Sequence, residues 1–392
     1  MSPNTANRLD VVLFGATGFT GALTAEYLAR HGGPSLRWGI AGRSRSKLDA
    51  VATRLAEIDG ATPTPEVITA SIDDPASLEA MAESARVVAT TVGPYARYGE
   101  PVVAACVAGG ADYLDITGEP EFVSNIRELH GPAAEEKGLR LVSCCGFDSI
   151  PHDFGALFTV RQLPSDQPIR VEGIVSAKGQ FSGGTWQSAV EAMGRMRKGK
   201  KRRRTSGGEP PARKVRPLAT RVRYEKRVKG WIAPMPTIDP VIVLRSARDL
   251  DDFGPDFRYG HSMRVGGFPK LIAGGMAVGS VFALAQLPPT RKLLLGMKSS
   301  GEGPDAETRA KSRFRVTFLG QAGDQRVVTE VRGGDPGYGE TSKMLAESAL
   351  CMAFDRDRLP ELYGHRTPAA ALGDPLLERL QAAGIEFEVM ED

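Results

Sequence analysis

The chain has 392 residues, of which 41% are hydrophobic and 25% charged, with a net charge of +3. This is the balance of a globular protein of about two domains, which excludes an intrinsically disordered chain, and the near-neutral charge argues against a nucleic-acid-binding protein. Cys106, Cys144, Cys145 and Cys351 form no CxxC pair and no metal-ligand spacing, so neither a disulfide framework nor a metal centre is expected and a reducing cytoplasm is the default.

The opening MSPNTANRLD has no apolar core, and no secretory leader is expected. Val11-Val12-Leu13-Phe14 reads as a strand buried on both faces of a parallel sheet. It runs into Gly15-Ala16-Thr17-Gly18-Phe19-Thr20-Gly21 and then a helical pattern through Leu23, Tyr27 and Leu28, stopped by Gly32-Gly33-Pro34. The GxxGxxG spacing is a variant of the dinucleotide fingerprint. Gly15 permits the tight turn, Gly18 lets backbone approach a pyrophosphate, and Gly21 lets helix and strand pack closely. The free N–H groups of the helix then face the phosphates, with Thr17, Phe19 and Thr20 lining the approach.

A second strand, Leu36 to Ala41, leads into Gly42-Arg43-Ser44-Arg45-Ser46-Lys47. A site for NADH usually carries a carboxylate here, on the ribose 2′-hydroxyl. None is present, and Arg43, Ser44 and Lys47 suit a 2′-phosphate, so NADPH is the expected cofactor. Strands at 66–70, 86–91, 112–115 and 139–143 then alternate with helices at 47–58, 101–109 and 122–137, and Pro75 opens a further helix. That rhythm predicts βαβ units and a Rossmann-type parallel sheet over residues 1–150, an α/β fold with its ligand crevice at the carboxyl ends of the strands. The strand-end loops include VGPYARYG, with Gly93 and Pro94 beside the cofactor, DITGE and CCGFDSIPHD.

With these loops the sequence resembles the saccharopine dehydrogenase-like oxidoreductases, and among them the trans-acting enoyl reductases of actinobacteria. The matching segments include VVLFGATGFTG, WGIAGRSRSKL, TTVGPYARYGEPVVAACVAGGADYLDITGE, CCGFDSIPHDFG, SGGTWQSA, SGEGPDAETRAKSRFRV and GGDPGYGETSKMLAESAL, spread over nearly the whole chain. The resemblance implies an NADP-binding Rossmann domain, a second, mostly antiparallel α+β domain inserted after it, and reduction of an enoyl thioester or lipid-linked substrate. An amino-acid dehydrogenase of the saccharopine type and a non-catalytic NADPH-binding regulator are the alternatives.

The inserted domain is expected over 151–330, shaping the substrate pocket and a homodimer interface, with a return to the first domain over 331–392. Arg170 to Ala177, Val241 to Leu244 and Arg313 to Phe318 read as its strands, and Ser182-Gly183-Gly184-Thr185 leads into a helix through Met196. The basic run RMRKGKKRRR, 195–204, reads as a solvated loop or a dock for an acyl carrier domain or CoA phosphates; it has no interleaved aromatics that would suit nucleic acid. Leu271 to Leu287 is apolar but short for a span, and reads as a helix that is buried or lies against lipid. After Gly333-Gly334-Asp335-Pro336-Gly337-Tyr338-Gly339 a helix is expected from Glu340 to Phe354, with Tyr338 and Lys343 near the cleft; a helix (375–383) and a strand (387–389) end the chain.

Reduction of an activated double bond needs a hydride, stabilisation of the developing enolate and a proton. Candidate catalytic donors are Tyr95, Asp148 and His152, with Tyr98 and Ser149 nearby in the same loops. No YxxxK pair supports a tyrosine–lysine mechanism, and Cys144 and Cys145 are expected to be buried, unactivated thiols.

Overall fold

The computed structural model describes residues 7–60, 62–178, 190, 213–296 and 303–391. The helix expected from Ser182-Gly183-Gly184-Thr185 to Met196 and the basic run 195–204 lie outside them.

The first sheet contains β1 (Leu9–Phe14), β2 (Trp38–Gly42), β3 (Glu66–Thr69), β4 (Ala85–Thr90), β5 (Asp112–Asp115), β6 (Arg140–Val142) and, from far along the chain, β14 (Gly364–Arg366). Its order is β14-β6-β5-β4-β1-β2-β3 and every pairing is parallel. The order reverses beside β1, which is flanked by β2 and β4, and this places the ligand crevice at its carboxyl end. Alternation along β1 feeds two cores, with Val11 and Leu13 packed on one face and Val12 and Phe14 on the other. The helices are α1 (Phe19–His31), α2 (Arg45–Ala56), α3 (Pro75–Glu83), α4 (Tyr95–Gly109), α5 (Pro120–Leu129), α6 (Gly131–Glu136) and α7 (Ile150–Val160). Ser44 and Asp74 cap α2 and α3 with their side chains, and Pro75 occupies the first turn of α3. The helix expected over 122–137 is two, α5 and α6, broken at His130-Gly131-Pro132, and α4 starts at Tyr95, with Pro101 inside it.

The second sheet is mostly antiparallel. It comprises β7 (Ile169–Lys178), β8 (Lys214–Pro217), β9 (Arg223–Glu225), β10 (Gly230–Pro234), β11 (Asp256–Gly266), β12 (Arg313–Ala322), β13 (Gln325–Gly333) and β15 (Glu386–Met390). The order is β15-β13-β12-β7-β11-β10-β9, with β8 beside β11; only the β7–β11 and β8–β11 pairings are parallel. Its helices are α8 (Asp239–Asp249), α9 (Phe268–Ala285), α10 (Pro288–Gly296) and α11 (Ala306–Lys311). The strand expected at Val241 to Leu244 is therefore corrected to helix. Pro240 sits in the first turn of α8, and the apolar run supplies Ile242, Val243 and Leu244 to the core while Val241 faces outward. Four consecutive apolar residues do not separate a buried strand from a helix face.

The return to the first sheet consists of α12 (Gly339–Phe354), β14 and α13 (Pro368–Ala382), the last kinked at Gly373 where φ is 51°. The terminal strand does not share that return: β15 forms the edge of the second sheet, pairs antiparallel with β13 and buries Phe387. Helix α7 seats on the second sheet, where a Cβ on Gly155 would come within 2.3 Å of the Phe318 ring. No helix among the described residues is long and apolar enough to cross a membrane.

Candidate active site

At the end of β1, Gly15 adopts φ +97°, and a Cβ there would meet Thr91 Oγ1 and Val92 Cγ2 at 2.8 Å. A Cβ on Gly21 would lie 2.1 Å from the Gly15 carbonyl oxygen, so α1 seats directly on the turn. Gly18 is the N-cap of α1, without a capping side chain and with no acidic residue in the first turn. The first N–H groups of α1 and its positive dipole end are thus left for an anion. Thr17 and Gly18 are exposed, and Thr20 is half-buried. Phe19 is taken up elsewhere: its ring packs edge-on against Tyr338 at 4.7 Å, with the Arg309 guanidinium 5.5 Å away. Beyond β2, Arg43 and Lys47 are exposed, and Ser44 accepts from the Lys47 N–H at 3.5 Å. Gly15, Gly18, Gly21, Arg43, Ser44 and Lys47 form a cradle and a cationic rim that fit a dinucleotide carrying a 2′-phosphate.

The loop after β4 returns to this turn, Thr91 donating from its N–H to Phe14 O at 3.0 Å and from its hydroxyl to Gly15 O at 3.3 Å. Gly93 and Pro94 follow, and Pro94 is the N-cap of α4. Tyr95 is placed differently from a proton donor. Its hydroxyl donates to Thr90 O at 3.0 Å and accepts from the Ile116 N–H at 3.4 Å, and burial raises its pKa well above the ordinary range. The Glu119 carboxylate closes the start of α4 by accepting from the N–H groups of Tyr95 and Ala96 at 3.0 and 2.9 Å.

Past β6 the chain turns into α7 through Cys144-Cys145-Gly146-Phe147-Asp148-Ser149. Both thiols are buried and free, and burial raises their pKa values, so neither is activated. Asp115 anchors this loop, accepting from the Cys144 and Thr117 N–H groups and the Ser143 hydroxyl at 2.8–3.0 Å. A second anchor is α12: Phe147 N–H donates to Thr341 Oγ1 at 3.2 Å, and Ser342 donates to Thr20 O at 3.2 Å. One helix turn therefore links the glycine cradle to the loop carrying Asp148 and His152. Lys343, in that turn, is engaged by Glu340 at 2.9 Å.

Here the structure brings together residues that the sequence keeps far apart. His152 Nδ1 lies 3.1 Å from Asp239 Oδ1 at the start of α8, and His261 Nε2 of β11 lies 3.6 Å from Asp239 Oδ2. All three side chains are buried, and the His152 and His261 rings meet edge-on at 5.0 Å. The Nδ1–Oδ1 contact lacks hydrogen-bond alignment, and His152 Nε2, Asp239 Oδ1 and His261 Nε2 have no hydrogen-bond partner. Thr237 donates to Asp239 Oδ2, and the Tyr259 hydroxyl lies 3.2 Å from His261 Nδ1. Burial opposes a charged His152, but the Asp239 carboxylate, and then Asp148, outweigh it and hold His152 above its ordinary value. Burial likewise opposes ionisation of Asp239, yet His152 holds it well below the carboxylate range. Burial pushes His261 down to about 4. Asp148 is pushed up to about 7, by burial first and by the Asp239 charge second. An ionised His152–Asp239 pair, a neutral His261 and a carboxyl poised near neutrality therefore share one dry site. The three residues also offer ligand atoms within 4.8 Å of one another, the count a three-ligand metal site requires.

The model of the saccharopine dehydrogenase NADP binding domain matches residues 11–142, the span from β1 to β6, and with the cradle this defines an NADP-dependent oxidoreductase. The chain is 39% identical to a putative trans-acting enoyl reductase of Mycobacterium tuberculosis, covering 98% of both chains. It is 32% identical to a trans-acting enoyl reductase of Mycobacterium ulcerans, covering 96% of each. It therefore belongs to the trans-acting enoyl reductase group of the saccharopine dehydrogenase-like family. Among solved structures, the apo saccharopine dehydrogenase (L-Glu forming) of Saccharomyces cerevisiae shares the fold, with a TM-score of 0.57, 13% identity and coverage of 97% and 99% of the two chains.

Proposed function

We propose that this NADPH-dependent reductase saturates the carbon–carbon double bond of an enoyl thioester, presented on CoA or an acyl carrier domain, and that His152 delivers the proton. The observation that supports this most is the buried His152–Asp239–His261 cluster, tied through α12 to the glycine cradle. Bound NADPH supplies the hydride.

The chain's own residues have three tasks. Gly15, Gly18 and Gly21 seat the pyrophosphate, and Arg43, Ser44 and Lys47 hold the 2′-phosphate. Asp239 keeps His152 protonated and turns its Nδ1 inward, which leaves Nε2 to release a proton toward the substrate α-carbon. In this reading Asp148, pushed up to about 7 by burial and the Asp239 charge, returns a proton to the imidazole. Among the described residues, Phe147, Thr237 and Tyr259 contact the cluster through rings and hydrogen bonds. None of these is cationic, whereas a saccharopine-type dicarboxylate would call for cations around it.

The test is NADPH oxidation by the purified chain with 2-enoyl thioesters of increasing acyl length, beside 2-oxo acids with amino acids. Turnover confined to the enoyl thioesters is expected. Turnover confined to the oxo acid and amine pair would replace this reading with the amino-acid dehydrogenase.

A further inference from the structure

The helix α9 and the turn after it carry a row of apolar side chains in solvent: Phe268, Ile272, Met276 and Leu284 on the helix and Leu287 past its end are all exposed, Met276 by 64%. Leu293 on α10 extends the row and is 72% exposed. The side chains of these helices that do find cover join Val190 in a small cluster, separate from the main cores. An apolar surface this large, left exposed among the described residues, marks a binding face.

Its surroundings specify the partner. Phe268 packs on Trp231 at 5.1 Å, and Trp231 on Tyr224 at 6.2 Å, so an aromatic row runs from α9 onto β10 and β9. Tyr224 and Val222 are exposed beside it. The chain from Arg213 to Trp231 carries eight Lys and Arg residues against one acidic residue, Glu225. Lys226 and Lys229 in the β9–β10 turn are exposed, as is Lys292 on α10. Arg264 of β11 holds that turn in place by donating to the Val228 and Lys229 carbonyls at 2.8 and 3.2 Å. An exposed apolar helix too short to span, an aromatic fringe and a cationic rim together match the interface of an anionic bilayer.

We infer that this face, α9 and α10 with the β9–β10 turn, docks the enzyme onto anionic lipid membrane, with Phe268, Met276 and Leu293 entering the headgroup boundary and Lys226, Lys229 and Lys292 meeting lipid phosphates. The inference does not depend on the enoyl reductase reading, because it uses no residue of the active site.

The experiment is co-sedimentation of the full chain with vesicles of phosphatidylglycerol and phosphatidylcholine, beside vesicles of phosphatidylcholine alone. Binding to the anionic vesicles at least tenfold tighter than to the neutral ones, weakened by salt, is expected. Lys226→Gln with Lys229→Gln should lower it about 25-fold, and Met276→Ser with Leu293→Ser about tenfold, with NADPH affinity unchanged in both. Absence of binding to anionic vesicles, or binding indifferent to both pairs of substitutions, would overturn the assignment. So would a solution dimer that Met276→Ser with Leu293→Ser dissociates, which would give the face to a second copy of the chain.

Discussion

Asp239 Oδ1 sits 3.1 Å from His152 Nδ1, with both side chains 1% exposed, so the first turn of α8 sets the charge of the first turn of α7. In the ionised pair each charge offsets the burial of the other. Removing either one leaves a charge stranded at a cost of about 3–5 kcal/mol. Asp239→Asn is therefore expected to lower both stability and turnover, whereas Asp239→Glu restores part of the turnover. A thermal melt and a kcat measurement on both variants check this; an Asp239→Asn protein with unchanged melting and kcat would remove the pair from the account.

The cofactor rim gives a second expectation. Arg43 contributes a charge-assisted bond of about 1.5–3 kcal/mol to a 2′-phosphate. Arg43→Ala should raise the Kd for NADPH by roughly 10- to 100-fold and leave the NADH affinity unaltered. Fluorescence titration with both nucleotides reads the difference directly.

Substitution of Gly21 tests the cradle by sterics alone. Its Cβ would meet the Gly15 carbonyl oxygen at 2.1 Å, and backbone on both sides leaves neither partner free to yield. Gly21→Ala should abolish measurable nucleotide binding, whereas Gly279→Ala, where nothing lies within 4 Å of the added atom, should leave binding intact.

The pH dependence follows from the directions of the shifts. His152 is raised above its unfolded value of about 6.5, so its pair with Asp239 contributes fully below that pH and is lost as pH rises through the raised value. Asp239 is lowered, and its contribution is lost only as pH falls toward that lowered value, in strong acid. Asp148 runs the opposite way for an acid: raised to about 7, it penalises the folded state increasingly as pH climbs from about 4 to 7. Asp148→Asn should thus raise the melting temperature at pH 8 by a few degrees and change it little at pH 4. Turnover of the parent enzyme should decline on the alkaline side as His152 loses its proton.

Much of the first domain is legible in the residues. Val11-Val12-Leu13-Phe14 followed by GxxGxxG fixes strand, turn and helix, because few backbones other than a dinucleotide cradle need glycine at all three positions. The basic loop after β2 is equally local. Two of the three residues of the acid–base cluster are not. His152 announces itself in a strand-end loop, but Asp239 and His261 reach it only through the fold, from α8 and β11. Two local signals were available for them: Asp239-Pro240 opens a helix, which a four-residue apolar run disguised as a strand, and His261 is one of only five histidines. Tyr95 shows the converse, a residue in the right loop whose hydroxyl is spent on backbone.

The cluster could alternatively hold a divalent cation, since its ligand atoms lie close enough together. The Asp239 oxygen bonded by Thr237 and the ionised pair with His152 already balance the site without one. Metal analysis of active protein after extensive chelation is expected to find no stoichiometric ion and no loss of turnover. Retained metal at one per chain, with activity lost on its removal, would make the cluster a metal centre.

Proton delivery from His152 to the enolate of a reduced enoyl thioester is read out by single-turnover product analysis in deuterated water. The chain is mixed with NADPH and a 2-enoyl thioester, and the saturated product is followed by mass spectrometry. One deuterium at the α-carbon is expected, and for His152→Gln a rate lower by about 10²- to 10⁴-fold with NADPH affinity unchanged. Saturated product formed by His152→Gln at the parent rate would contradict it.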